Sequence, residues 1–196
     1  RCLTRSLMPH DVSTEHIDTD RPHVIIAGFG RVGRRVAKIL QSADIPYLAI
    51  DSNAERVREG RQDGFSVFFG DASQVDVLKA AGAGEAGILV CTLDRAIPAV
   101  RLVSIMRQHY PDIAIHARGH DRQHCEQLLE AGASLAISET LEASLALADH
   151  LMRRLDYAEA DIQPLLDSIR RDGYHELRRT FAAGEDTQRA SARPGL

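Results

Sequence analysis

Tryptophan is absent from the 196-residue chain, aromatics make up 5% of it, and lysine occurs only at Lys38 and Lys79. Lys and Arg together number 24 against 28 Asp and Glu, a formal charge of −4. That balance lacks the cationic surplus that sequence-independent binding to nucleic acid needs, so no nucleic-acid partner is expected. The preference for Arg over Lys suits planar recognition of carboxylate or phosphate, although genomic base composition produces the same bias. Three cysteines, Cys2, Cys91 and Cys125, form no CxxC and cannot all pair, which points to a reduced, cytoplasmic setting. No apolar run approaches a membrane span, and Arg1-Cys2-Leu3-Thr4-Arg5 lacks the apolar middle of a signal peptide. The chain does not begin with Met and reads as a piece of a longer protein, so the lack of membrane segments here does not make the parent soluble.

What is present is 44% apolar and 27% charged residues, enough for one globular domain with appendages and too little for two full-sized ones. Residues 1–21 are polar and unpatterned, a linker ending in Asp18-Thr19-Asp20-Arg21-Pro22. His23-Val24-Ile25-Ile26-Ala27 is then a continuous apolar run closed by glycine, as a buried parallel strand should be. Val32, Val36, Ile39, Leu40 and Ala43 follow at helical spacing, and Tyr47 to Ile50 reads as a second strand closed by Asp51. Ser52-Asn53-Ala54-Glu55 fits a capping box. Strands are expected again at 66–69, 88–91, 113–117 and 135–137, separated by helices near 75–81, 98–110, 123–131 and 140–154. Gly64, Gly82 and Gly132 each precede a strand, where a helix must end in a left-handed cap. Six strands alternating with helices specify an α/β fold, a Rossmann-like doubly wound parallel sheet over residues 22–155. Beyond it, Ile162, Leu165, Leu166, Ile169 and Leu177 form an apolar stripe opposite Asp161, Asp167, Arg170, Arg171 and Arg178. Residues 156–182 are therefore expected to be a C-terminal amphipathic helical extension whose stripe is buried on its own sheet, a partner subunit or another domain. A disordered tail is expected over 183–196.

Gly28-Phe29-Gly30-Arg31-Val32-Gly33 lies between the first strand and its helix, the context that a dinucleotide fingerprint requires. Gly28 permits the tight turn, Gly30 lets the backbone approach a diphosphate, and Gly33 lets helix and strand pack. The helix then aims unpaired N–H groups at the phosphate. Asp51, ending the second strand, is placed to accept hydrogen bonds from both hydroxyls of an adenosine ribose. The residues after it are Ser52, Asn53 and Ala54, with no Arg among them, so NAD(H), AMP or ATP is favoured over NADP. Asp71 and Ala72, after the third strand, fall at the adenine edge, with capping of the next helix as an alternative or concurrent role for Asp71. Arg31 can reach phosphate oxygens. Thr92, Leu93 and Asp94 follow the fourth strand at the switch point where open α/β sheets bind ligands. Arg118, ending the fifth strand, can face a phosphate from the carboxyl edge. His116, His120, His124 and Cys125 do not share one helix face and contain no HExxH, so no metal site is expected. There is no room for the second domain that holds a dehydrogenase substrate, and no Tyr-x-x-x-Lys. The nucleotide domain therefore reads as a sensor rather than an enzyme, with no catalytic residues assigned.

The run His23-Val24-Ile25-Ile26-Ala27-Gly28-Phe29-Gly30-Arg31-Val32-Gly33, the acid Asp51, Val67-Phe68-Phe69-Gly70-Asp71-Ala72-Ser73 and Ala81-Gly82-Ala83 together resemble an RCK (KTN, or TrkA-N) domain. More narrowly, they are similar to the cytoplasmic C-terminal domain of Kef-type potassium/proton antiporters, over about His23 to Arg154. The resemblance implies a homodimer of Rossmann domains beneath the transmembrane antiporter domain of the same parent chain, in the cell's inner membrane, occupied by NAD(H) or AMP. It also implies nucleotide contacts from the glycine turn, Asp51, Asp71 and Arg118, which with the neighbours Phe29, Val32, Ser52, Ala72, Thr92 and Leu93 make up the candidate site. Kef proteins are gated by glutathione and its adducts near the dimer interface. There this chain departs from the pattern: Ala117-Arg118-Gly119-His120-Asp121 stands for Ala-Arg-Ala-Arg-Asp, Arg170-Arg171-Asp172-Gly173 for Arg-Arg-Phe-Asn, and Arg95 and Ala99 replace an acid and an Asn. Glutathione remains a candidate ligand with altered contacts. Two other readings stay open: an RCK-type subunit that docks on a separate channel or transporter, and a fragment of an NAD-dependent oxidoreductase.

Overall fold

The computed structural model describes residues 23–174. The expected linker at 1–21 and tail at 183–196, with Leu177 and Arg178, lie outside the described residues. Within them, strands β1 (Val24–Ala27), β2 (Tyr47–Asp51), β3 (Val67–Phe69), β4 (Ile88–Cys91), β5 (Ala114–Gly119) and β6 (Leu135–Ser138) form one sheet in the order 3-2-1-4-5-6. Every neighbouring pair is parallel. Helices α1 (Arg31–Ser42), α2 (Ala54–Gln62), α3 (Val75–Ala80), α4 (Ala96–His109), α5 (Arg122–Glu130) and α6 (Glu139–Arg154) alternate with the strands. A further helix, α7, begins at 159 and is described to 174.

Side chains alternate across a strand, so each strand feeds two cores. Val24 and Ile26 of β1 join Tyr47, Ala49 and Val67 against Ala37 of α1 and Val57 of α2. Ile25 and Ala27 point the other way, with Leu48, Leu89 and Ile115, against Leu78, Leu102, Met106 and Leu128 of α3, α4 and α5. A sheet covered on both faces needs apolar residues at consecutive positions, which is why the strands read as unbroken runs. The left-handed caps appear as expected, with φ of +80° at Gly64, +72° at Gly82 and +106° at Gly132.

Three local expectations are corrected. Of the apolar positions spaced along α1, Val36 and Leu40 are half-buried against the core beside the buried Gly33 and Ala37, whereas Ile39 and the C-cap residue Ala43 are exposed. The capping box at Ser52 does not form. Asn53 caps α2 instead, its side chain accepting from the Arg56 N–H at 3.0 Å, which places Glu55 in the first turn to pair with Arg58. The stripe on α7 divides: Ile162 and Leu166 are buried with Leu145 of α6, while Leu165 and Ile169 are exposed.

Candidate functional site

β1 and β4 are adjacent although five sequence elements separate them, and their carboxyl ends align at Ala27 and Cys91. Chains leave these two strands toward opposite faces, opening the crevice that open α/β sheets use for ligands. A cavity of about 630 Å³ lies there, within the roughly 300–1,000 Å³ typical of small-molecule sites. Gly28, Gly30, Arg31, Val32, Asp51, Thr92, Leu93 and Arg118 line it, together with Arg35, Val36, Ile39, Arg56, Asp94 and Glu139.

The three glycines of the turn act differently. Gly28 has φ +95°, a conformation that side chains resist. A Cβ on Gly33 would sit 2.0 Å from the Gly28 carbonyl oxygen, so helix and turn touch through it. A Cβ on Gly30 would meet nothing within 4 Å, and its φ is an ordinary −75°. Neither the backbone nor the packing demands a glycine at 30; what its bareness provides is open cavity beside the helix N-terminus. No side chain caps α1, so its first N–H groups face the crevice with the positive end of the helix dipole. That combination suits a phosphate.

Asp51 closes the other side. Its side chain is buried, 6% exposed; Oδ2 accepts from the Phe29 N–H at 2.7 Å and Oδ1 from the Asn53 N–H at 2.7 Å. The carboxylate thus ties the glycine turn to the end of β2 while lining the cavity. The expectation that no Arg stands beside it is corrected. Arg56 Nη1 lies 3.5 Å from Oδ2, because the first turn of α2 brings a residue five positions on back to the strand end. The case against NADP from a missing arginine accordingly falls away.

Thr92 is buried and its hydroxyl donates to the Gly28 carbonyl at 2.8 Å and lies 3.2 Å from that of Ala27, which fixes the turn from the β4 side. Phe29 contributes only its backbone to the site, since its ring is buried edge-to-face against Phe65. Ser52, Asp71 and Ala72 are not among the described residues lining the cavity. The Asp71 carboxylate accepts from the Ser73 N–H at 2.9 Å, a bond that holds its pKa below the ordinary carboxylate value and makes a local turn ahead of α3, whose N-cap is Gln74 with no side-chain capping bond.

Arg118 is largely enclosed, its side chain 13% exposed. It pairs with Glu139 at 2.7 Å and Asp94 at 3.0 Å, and its Nη1 lies 3.5 Å from the Thr92 carbonyl. Burial opposes its charge, but the hydrogen bonds to Glu139 and Asp94 outweigh that and raise its pKa above the usual arginine value. Hydrogen bonding from Arg118 in turn holds both carboxylates below their usual range. Asp94, placed by the sequence at the switch point, does line the cavity, whereas Arg35, Arg56 and Glu139 were missed from sequence. Arg35 was legible one turn beyond Arg31 on the helix that the fingerprint opens; Glu139 has no local signal, since only the pairing of β5 with β6 brings it to Arg118. His120 Nδ1 lies 3.3 Å from Glu139 Oε2, while His124 is buried inside α5 and accepts from the His120 N–H at 3.2 Å. Among the described residues, no three His, Cys, Asp or Glu side chains gather to hold a metal.

Among solved structures, the Kef CTD of Shewanella denitrificans in its AMP-bound form matches with a TM-score of 0.72 and 29% identity, covering 82% of this chain and 98% of that one. The GsuK channel bound to NAD matches with a TM-score of 0.62 and 25% identity, over 69% of this chain and 24% of the channel. The glutathione-regulated potassium-efflux system protein KefC of Enterobacter sp. (strain 638) is 31% identical over 193 residues, 97% of this chain. The chain spans only 31% of that relative. Among the described residues no helix is long and apolar enough to cross a membrane. Residues 24–139, which carry the whole crevice from the glycine turn to Glu139, match the TrkA-N domain model, and the chain belongs to that family.

Proposed function

We propose that this chain is the regulatory nucleotide-binding domain of a Kef-type potassium/proton antiporter, holding an adenosine nucleotide in the crevice between β1 and β4. The observation that carries this reading is Gly30, whose missing Cβ opens cavity beside an uncapped helix N-terminus and serves nothing else in the fold. Asp51 and Arg56 receive the ribose end, and the first turn of α1 with Arg31 and Arg35 receives the phosphate. The AMP-bound Kef CTD and the NAD-bound GsuK channel support AMP and NAD(H) as the ligand class. Binding acts by favouring one arrangement of the domain over another, and the domain catalyses no reaction of its own.

On this reading residues 1–21 link the domain to the transmembrane part of the parent chain, 22–155 bind nucleotide at the cytoplasmic face of the membrane, and 156–182 mediate association. Homodimerisation is supported by exposed apolar side chains at Leu147 and Leu151 on α6, at its C-cap Leu155, and at Leu165 and Ile169 on α7. Glutathione is a secondary ligand at most, because His120 occupies the place of the family's second arginine and is turned toward Glu139 and the Asp94 carbonyl.

The test is potassium flux from vesicles carrying the parent antiporter, with AMP or NADH supplied on the domain side. Flux is expected to depend on nucleotide, and Gly30→Val to abolish that dependence while the domain still melts normally. Nucleotide-dependent flux that survives Gly30→Val contradicts the assignment.

A further inference from the structure

The glycine turn and the first turn of α1 receive the phosphate from one side; Arg118 lines the same cavity, its Nη1 3.5 Å from the carbonyl of Thr92, whose hydroxyl holds Gly28. Arg118 is the best-placed cation there, yet its fork is already turned onto carboxylates that line the same cavity. Nη2 donates to Glu139 Oε2 at 2.7 Å and to Asp94 Oδ1 at 3.0 Å, and Nε adds a second bond to the same Glu139 oxygen at 3.1 Å. The burial is unequal: Arg118 is 13% exposed, whereas Asp94 is 71% and Glu139 46% exposed. The carboxylates can turn to water at little cost, but an enclosed guanidinium must keep an anionic partner. That asymmetry favours an exchange of partner at Arg118.

Resting on the nucleotide reading above, we propose that Asp94 and Glu139 compete with the ligand's phosphate for Arg118, making them specificity-determining residues that set how much a phosphate adds to adenosine binding. A phosphate group offers a guanidinium two acceptor oxygens, as a carboxylate does. It binds Arg118 only by displacing Glu139 and Asp94, and its own charge repels them as it arrives. Glu139 is the first residue of α6, so the displaced group is the one that begins that helix.

Calorimetry of the chain with adenosine and with AMP separates the phosphate's contribution from the sugar's. Asp94→Asn and Glu139→Gln each keep the side-chain shape and remove the competing charge. Each is expected to tighten AMP about two- to fivefold, the range for exposed ion pairs, and to leave adenosine unchanged. Arg118→Gln is expected to weaken AMP alone and to cancel the gain when combined with Glu139→Gln. An AMP-to-adenosine affinity ratio that stays constant or falls in both amide variants overturns the competition while leaving the nucleotide reading in place. If neither ligand binds any variant or the unsubstituted chain, the nucleotide reading fails and the competition with it.

Discussion

At the residue scale, the three glycines of one motif are held by three different constraints: backbone angle at Gly28, contact at Gly33 and open space at Gly30. The fingerprint spacing was enough to assign the tight turn to Gly28 and the close packing to Gly33, because both follow from backbone geometry local to the turn. Arg56 was not legible in the same way. Adjacency in the chain pointed to Ser52, Asn53 and Ala54, and it took the curl of α2 to return a guanidinium to Asp51. His124 shows the limit from another side. Its Nδ1 accepts from the His120 N–H, which leaves the proton on Nε2, buried and without a partner among the described residues. Burial, aided by the neighbouring His120, lowers its pKa below the ordinary histidine value, against an opposing pull from Asp121. A depressed folded pKa means that stability is full above the unfolded value of about 6.5 and is lost as pH falls through the folded one. Melting temperature is therefore expected to drop between pH 7 and 5, and His124→Gln to flatten that slope. An unchanged slope in the variant contradicts the assignment.

At the element scale, alternation of strand and helix was fully legible, because a sheet covered on both faces writes its strands as apolar runs. Helix faces were less so: of the spacing Val32, Val36, Ile39, Leu40 and Ala43 at α1, Val36 and Leu40 pack on the core and Ile39 and Ala43 are exposed, while the small residues Gly33 and Ala37 are what allow the helix close to the sheet. α7 was visible as an amphipathic stripe, but its partner was not, since a stripe records that something covers it and not what. Ile162 and Leu166 settle on Leu145, Leu141, Ala148 and Met152 of α6. Polar bonds reinforce the docking, with Arg170 on Glu142 at 3.2 Å and the Tyr174 hydroxyl on Glu142 at 2.9 Å. Burial, with help from Glu142, raises the Tyr174 pKa to about 12, so the hydroxyl stays a donor through the neutral range. Ile162→Ala empties a fully buried position in a small cluster and is expected to cost about 2–5 kcal/mol in the docking of α7. Hydrogen exchange should then speed up over 159–174 and remain unchanged in β1 and β4; equal acceleration in those strands contradicts an independently docked helix.

At the scale of the whole molecule, the strand order 3-2-1-4-5-6 creates the crevice and gathers its lining from four strand ends and three helices. The glycine turn and the strand-end residues Asp51, Thr92, Leu93 and Arg118 could be read from the sequence, because each closes a strand at the carboxyl edge; Arg56 and Glu139, brought in by the curl of a helix and by strand pairing, could not. The exposed leucines at 147, 151 and 155 belong to the same scale, since α6 already buries Leu145 inward and leaves that row facing outward. Light scattering at high concentration is expected to give a dimer that Leu151→Asp converts to monomer, and a wild-type monomer contradicts this role. The central claim is that the crevice between β1 and β4 holds an adenosine nucleotide, and calorimetric titration of the chain with AMP and with NADH tests it most directly. Saturable binding that Asp51→Ala weakens by about 1–3 kcal/mol is the predicted result. No heat of binding from either nucleotide, or an affinity that Asp51→Ala leaves untouched, would contradict it.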